Sequence, residues 1–268
     1  NNPNNEWEEK NIEFLLIGDS FTLGSCVNRP DDISSILRNL SNKSVLNLGY
    51  NGNGPLIEYA TLKEYFRPNV KNVLWIYYEG NDLNDLKNEL NSKILRKYLV
   101  NDTFIQNLKE KQNRVDSITL KVIEESKIKK KHNFNYVNFI KLNSTRTILN
   151  KIFLNKKFKT SHKLIKQLEK ILVSTNNFLK KNDSRLYFVY LPHYPRYKSN
   201  NLNNNETYNL IKKRFSKLDI PFIDIHEEVF EKETNKLKLF PFEKSGHYNE
   251  YGYYKVANAI YNFIQNEK

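Results

Sequence analysis

Ser20 follows Gly18 and Asp19 at the end of the run Ile12-Glu13-Phe14-Leu15-Leu16-Ile17, a buried-strand pattern that delivers a hydroxyl at the carboxyl end of a strand. Open α/β sheets carry their chemistry at that edge. A neutral serine attacks an ester only if a base takes its proton and donors stabilise the developing oxyanion. His247, in Ser245-Gly246-His247-Tyr248-Asn249 just ahead of a last helical stretch, is suited to be that base. Of the other histidines, His132 and His162 fall in a Lys-rich insertion and His226 at a helix start, which leaves His193 as the rival base. His193 follows a strand end, but beside Pro192 it also reads as a turn residue. Two further apolar strands end in small polar loops. Ser44 to Leu48 runs into Gly49-Tyr50-Asn51-Gly52-Asn53-Gly54, and Asn72 to Tyr78 runs into Gly80-Asn81-Asp82.

These four segments, in this order, resemble the SGNH hydrolase superfamily, also called GDSL-like lipases and acylhydrolases. The resemblance implies Ser20 as nucleophile and His247 as base. It implies an oxyanion hole built from the Ser20 N–H, the N–H of Gly52 and the side-chain amide of Asn81. Gly52 lies five residues past Asn47 as in the family's second block, and Gly49 is the fallback. Asp19 and Asp82 read as framework residues that bond loop backbone. The family's last block is commonly Asp-x-x-His, yet Lys244 stands three residues before His247. The imidazole is therefore expected to lean on Glu243, on Ser245 or on a main-chain carbonyl of residues 243–245, with Asp224 as a more distant alternative.

The elements that must position these residues are legible from periodicity. Strand-like segments at 12–17, 44–48, 72–78, 185–191 and 221–225 alternate with helical ones, as in βαβ units. Asp31 and Asp32 can cap a helix bearing Ile33, Ile36, Leu37 and Leu40 on one face. Tyr253, Val256, Ala257, Ile260 and Ile264 form the stripe of the last helix. The expected fold is a three-layer α/β/α sandwich around a five-stranded parallel sheet of flavodoxin-like order, a single domain over residues 1–268. About a hundred residues, Leu83 to Ser184, separate the third and fourth strands, too many for a simple connection. Leu86, Leu90, Ile94, Leu95 and Tyr98 begin that span helically, and Leu164, Ile165, Leu168, Ile171 and Leu172 end it so. The middle, about 100–155, is the helical insertion.

The net charge of +13 is concentrated: residues 121–170 hold 13 Lys and one Arg against three Glu, a local +11. A solvated surface is one reading of this block. An anionic membrane surface or acidic glycan is another, because Phe139, Leu142, Ile148, Leu149, Ile152, Phe153 and Leu154 interleave with Lys141, Arg146, Lys151, Lys156 and Lys157. Nucleic acid ranks last, since base reading favours Arg and known modules. The lone Cys26 excludes an internal disulfide and supplies too little for zinc, so no metal or cofactor is expected; near Ser20 it is tempting as a nucleophile but reads as a small packing residue. No apolar stretch is long enough to span a bilayer. The chain contains no methionine and reads as trimmed at its N-terminus, which favours an extracytoplasmic or membrane-associated location over a cytoplasmic one.

The functional expectation is a serine esterase acting through an acyl-enzyme on small or glycan esters, short-chain acetyl esters of carbohydrates above all. The alternatives are an SGNH-like O-acyltransferase and a catalytically impaired domain that binds glycans or surfaces.

Overall fold

A computed structural model describes residues 4–132, 162–198, 204–244 and 246–267. Its strands are β1 (Ile12–Gly18), β2 (Val45–Asn47), β3 (Val70–Tyr78), β4 (Arg185–Leu191) and β5 (Phe222–Asp224). They form one parallel sheet in the order β2-β1-β3-β4-β5. This is the flavodoxin-like order, with its switch point at β1 and β3. The register sets Gly18 opposite Ile76, so the loops leaving β1 and β3 open side by side.

The helices are α1 (Ser20–Leu23), α2 (Ile33–Ser41), α3 (Pro55–Tyr65), α4 (Asp82–Glu89), α5 (Lys93–Val100), α6 (Gln112–His132), α7 (His162–Lys180), α8 (Pro195–Lys198), α9 (Asn204–Phe215), α10 (Ile225–Glu228) and α11 (Glu250–Asn266). Strand side chains alternate between the two faces of the sheet. Leu15, Ile17, Val73, Trp75 and Phe188 pack against α3, α4, α7 and α9, whereas Phe14, Leu16, Leu74, Ile76 and Val189 pack against α2 and α11. Both faces are covered, which explains why the central strands read as nearly continuous apolar runs. The result is the expected α/β/α sandwich.

The chain divides into two compact units, residues 1–105 with 162–268, and residues 106–161. The second begins a few residues later than the insertion expected at 100–155. Its described part is dominated by α6. Residues 133–161 lie outside the described residues, and with them the interleaved Lys and apolar side chains of the basic block. His162 does not belong to the insertion; it opens α7, whose Leu164, Ile165, Leu168, Ile171 and Leu172 are buried on the sheet and lead into β4. Among the described residues no helix is long and apolar enough to cross a membrane.

One part of the core is polar. Glu58 of α3 is buried and accepts a 2.6 Å bond from the Trp75 indole. Burial first, then the charges of Asp19 and Glu89, push its carboxyl well above the usual range. Below its ordinary value of 4.5 such a group is protonated whether the chain is folded or not. As pH rises above that, the unfolded chain ionises first and native stability falls. Glu58→Gln keeps an acceptor for Trp75 and removes this linkage. Thermal melts should give the variant a midpoint close to wild type at pH 4 and a higher one at pH 8, by about 2–4 °C for each ~1 kcal/mol recovered.

Candidate active site

β1 ends where a side chain has no room. An added Cβ on Gly18 would lie 2.0 Å from Thr22 Oγ1 and 2.7 Å from the Ile76 carbonyl, and its φ of +152° is one that L side chains rarely adopt. Asp19 then caps α1, its Oδ1 accepting from Phe21 N–H at 2.8 Å. Such a cap contributes ~1 kcal/mol and fixes the first residue of the turn. That residue is Ser20, half-buried at the carboxyl edge of the sheet.

His247 arrives from the other end of the chain. Its neighbour Tyr248 is fully buried and donates to the Pro192 carbonyl at 2.5 Å. Asn249 caps α11 through Gly252 N–H at 2.9 Å. With both following residues anchored, the imidazole lies over Phe21 at 4.5 Å between ring centroids, and Phe21 stacks in turn on Tyr78 at 4.0 Å. His247 Nε2 is 2.7 Å from Ser20 Oγ. The Ser20 hydroxyl is 3.3 Å from Asp19 Oδ2, so the shorter contact is the one to the imidazole. Burial lowers the His247 pKa from its ordinary 6.5, which keeps Nε2 as an acceptor at neutral pH. A serine O–H donating to an unprotonated imidazole is the arrangement in which a base can take a nucleophile's proton.

The other sequence-predicted residues sit on neighbouring loops of the same sheet edge. Gly52 is exposed in the turn after β2, with a φ of +80° and no atom within 4 Å of a built Cβ. It is therefore required by the turn, closed by Asn53 N–H to the Tyr50 carbonyl at 3.2 Å, not by close packing. Gly49 donates its N–H to Asn47 Oδ1 at 2.8 Å and is engaged locally. Asn81 follows β3, half-buried, its Nδ2 donating to Asp85 Oδ2 at 2.6 Å. The same side chain bonds Asp19. Asp82 is fully buried and accepts from Tyr78 N–H at 2.7 Å, a framework role like that of Asp19. Burial, followed by the charges of Glu58 and Asp19, pushes the Asp82 carboxyl well up.

Two of the expected partners of His247 Nδ1, the Glu243 and Asp224 carboxylates, are engaged elsewhere. Glu243 is exposed, its carboxylate accepts from Asn235 Nδ2 at 2.9 Å, and its carbonyl accepts from the Tyr194 hydroxyl at 3.0 Å. A left-handed backbone at Phe242 and Glu243, φ +53° and +54°, accompanies this. Asp224 caps α10 and takes the Tyr208 hydroxyl at 2.5 Å. Ser245 lies outside the described residues. Among the described residues the group at Nδ1 is Cys26 Sγ, at 3.4 Å. Cys26 is exposed and not a packing residue. Its place six residues past Ser20 was the only sequence signal for it.

His193 lies beyond β4, where its own N–H donates to Glu79 Oε2 at 3.1 Å. Glu79 and Arg196 form a buried ion pair, with Arg196 Nε 3.0 Å from Glu79 Oε2. This pair joins the Gly80-Asn81 loop to the loop after β4, and nothing in the sequence announced it. Among the described residues no group of three or more His, Cys, Asp and Glu is arranged to hold a metal.

The pairing has a measurable consequence. Labelling of Ser20 by an organophosphonate should persist below the ordinary imidazole range near pH 6.5 and fall only at more acid pH, where His247 protonates. Intact-mass measurement of the labelled fraction across pH 4–8 checks this, and His247→Ala should abolish labelling throughout.

No family model matches this chain, and no curated protein does. Solved structures do. A member of the lipolytic protein G-D-S-L family from Veillonella parvula is 13% identical with a TM-score of 0.54, covering 95% of this chain and 98% of the other. The lipase/acylhydrolase from Enterococcus faecalis is 11% identical with a TM-score of 0.51, covering 96% of each. The acetyl xylan esterase AlAXEase is 12% identical with a TM-score of 0.51, covering 94% of this chain and all of the other. At such identities the likeness speaks for the fold, and the fold of this chain is that of the SGNH, or GDSL-like, hydrolases.

Proposed function

We propose that this protein is a serine esterase of the SGNH kind, and the observation that carries the proposal is the 2.7 Å contact between Ser20 Oγ and His247 Nε2. In this reading residues 106–161 are an insertion in one SGNH-hydrolase-like domain. Ser20 Oγ attacks the ester carbonyl carbon as its proton passes to His247 Nε2. The resulting oxyanion is received by the N–H groups of Ser20 and Gly52 and by the Asn81 amide, which releases one of its bonds to Asp85 and Asp19 to do so. Collapse expels the alcohol, protonated by His247, and leaves an acyl-Ser20. Water, deprotonated by the same imidazole, attacks the acyl carbon and releases the acid.

Short acyl groups, acetyl esters of carbohydrates in particular, are the favoured substrates. The strand-end loops beside Ser20 are open: Tyr50, Asn51 and Gly52 are exposed. Cavities of about 460, 650 and 580 Å³ open elsewhere, and none of them is lined by Ser20, Asn81 or His247. Exposed, partly polar loops beside Ser20 suit a sugar ester better than a long acyl chain.

A panel of chromogenic esters of increasing acyl length tests the proposal. Hydrolysis should be fastest on acetate and absent in Ser20→Ala. Asn81→Ala should retain a slow enzyme, down about 10²–10³-fold in kcat, because one oxyanion donor is lost and two backbone donors remain. Equal hydrolysis by wild type and Ser20→Ala would remove the esterase reading, and a rate that climbs with acyl length would remove the substrate class.

A further inference from the structure

Ser20 and His247 lack the carboxylate that would usually hold the imidazole, yet Nδ1 does not face empty solvent. We infer that Cys26 is the third member of this site, a positioning residue whose sulfur accepts the Nδ1–H of His247 and fixes the tautomer that leaves Nε2 open to Ser20. The inference rests on the esterase reading above.

The first support is geometric. Cys26 Sγ lies 3.4 Å from Nδ1 while Nε2 lies 2.7 Å from Ser20 Oγ, so the two ring nitrogens are both engaged, on opposite sides of the ring. If Nε2 accepts the serine proton, Nδ1 must carry the ring's own hydrogen, and that hydrogen points at sulfur. Sulfur is a weaker acceptor than a carboxylate oxygen.

The second support is the backbone. Cys26 has a φ of +74°, a left-handed conformation unusual for a residue other than Gly, Asn or Asp. The peptide on its N-terminal side is clamped to hold it there. Ser25 N–H donates to the Ser20 carbonyl at 3.0 Å, Ser25 Oγ donates to Asn51 Oδ1 at 2.9 Å, and the Tyr253 hydroxyl donates to the Ser25 carbonyl at 3.1 Å. Those bonds tie Cys26 to α1, to the loop after β2 and to α11 at once. Gly would be easier for the backbone here, so a side chain kept at this φ by three outside contacts points to a use for its sulfur.

Among the described residues no charged group is in contact with the ring, the nearest carboxylate, Asp19, reaching it only through Ser20. Around the ring stand Ser20 and Phe21 of α1, Cys26, and beyond Phe21 the phenols of Tyr78, Tyr248 and Tyr253. Burial is the one influence on the His247 pKa, with no contribution from a charged group. An anion placed at position 26 would be the first in direct contact with the imidazolium that forms in the proposed reaction.

Two substitutions test this, and both suit a left-handed φ. Cys26→Gly removes the sulfur while relaxing the backbone. Its melting temperature should hold at or above wild type, while kcat/KM on a small acetyl ester falls roughly three- to tenfold, mostly in kcat, the weight of one neutral hydrogen bond. Cys26→Asp offers a carboxylate to Nδ1. It should recover the loss and move the acid limb of the kcat/KM profile to higher pH, because an adjacent anion favours the protonated imidazole. A merely structural cysteine would not move that limb. Wild-type kcat/KM in Cys26→Gly, or an unmoved acid limb in Cys26→Asp, overturns the inference. Phosphonate labelling of wild-type Ser20 is measured alongside. If the wild type labels and the Cys26 variants behave as wild type, only the role of Cys26 falls; if the wild type does not label, the esterase reading falls with it.

Discussion

A methyl group has no room at Gly18, and the geometry of the site follows from that. The end of β1 passes so close to the end of β3 and to Thr22 that only a bare backbone fits. The chain then turns at Asp19 and starts a one-turn helix on Ser20. The serine is held by a steric exclusion and an N-cap, both local, before any partner arrives. What completes the site is long-range. His247 is brought over Phe21 by a buried Tyr248 and the capped start of α11, so Ser20 and His247 are fixed by unrelated means and meet in one short contact.

Behind that contact lies a layer of carboxylates. Asp19 and Asp82 are fully buried, Glu58 and Glu89 nearly so, and Asp85 touches the Asn81 amide. Burial is the leading cause that raises each of these carboxyls. In the proposed reading, raised carboxyls at this place oppose an oxyanion forming above them less than fully ionised ones would.

Strand runs, both principal helix stripes and the Gly-Asp-Ser end of β1 were legible because each is a local pattern. Two-sided burial makes a central strand apolar throughout, and a capped amphipathic helix shows its period directly. The partner of His247 was not legible. Cys26 and His247 are 221 positions apart, and their approach depends on clamps at Ser25 that come from three different elements. Glu243 stood in the right place along the sequence, but the left-handed turn at Phe242 and Glu243 leaves its carboxylate with Asn235. The Glu79–Arg196 pair escaped for the same reason, since a buried ion pair between two loops has no periodicity to betray it. His162 was misplaced because composition alone does not mark where a basic stretch stops being surface and starts packing on a sheet.

In the proposed reading the nucleophile follows the first strand and its base precedes the last helix, with the other four strands of the sheet laid down between them. During synthesis the amino-terminal half therefore emerges with its serine in place and nothing to ionise it. In that reading, until residue 247 has left the ribosome and docked, the growing chain is chemically mute toward esters around it. Competence arrives in one step, with closure of the last layer, and the site thereby serves as a built-in report on whether the whole sandwich has assembled.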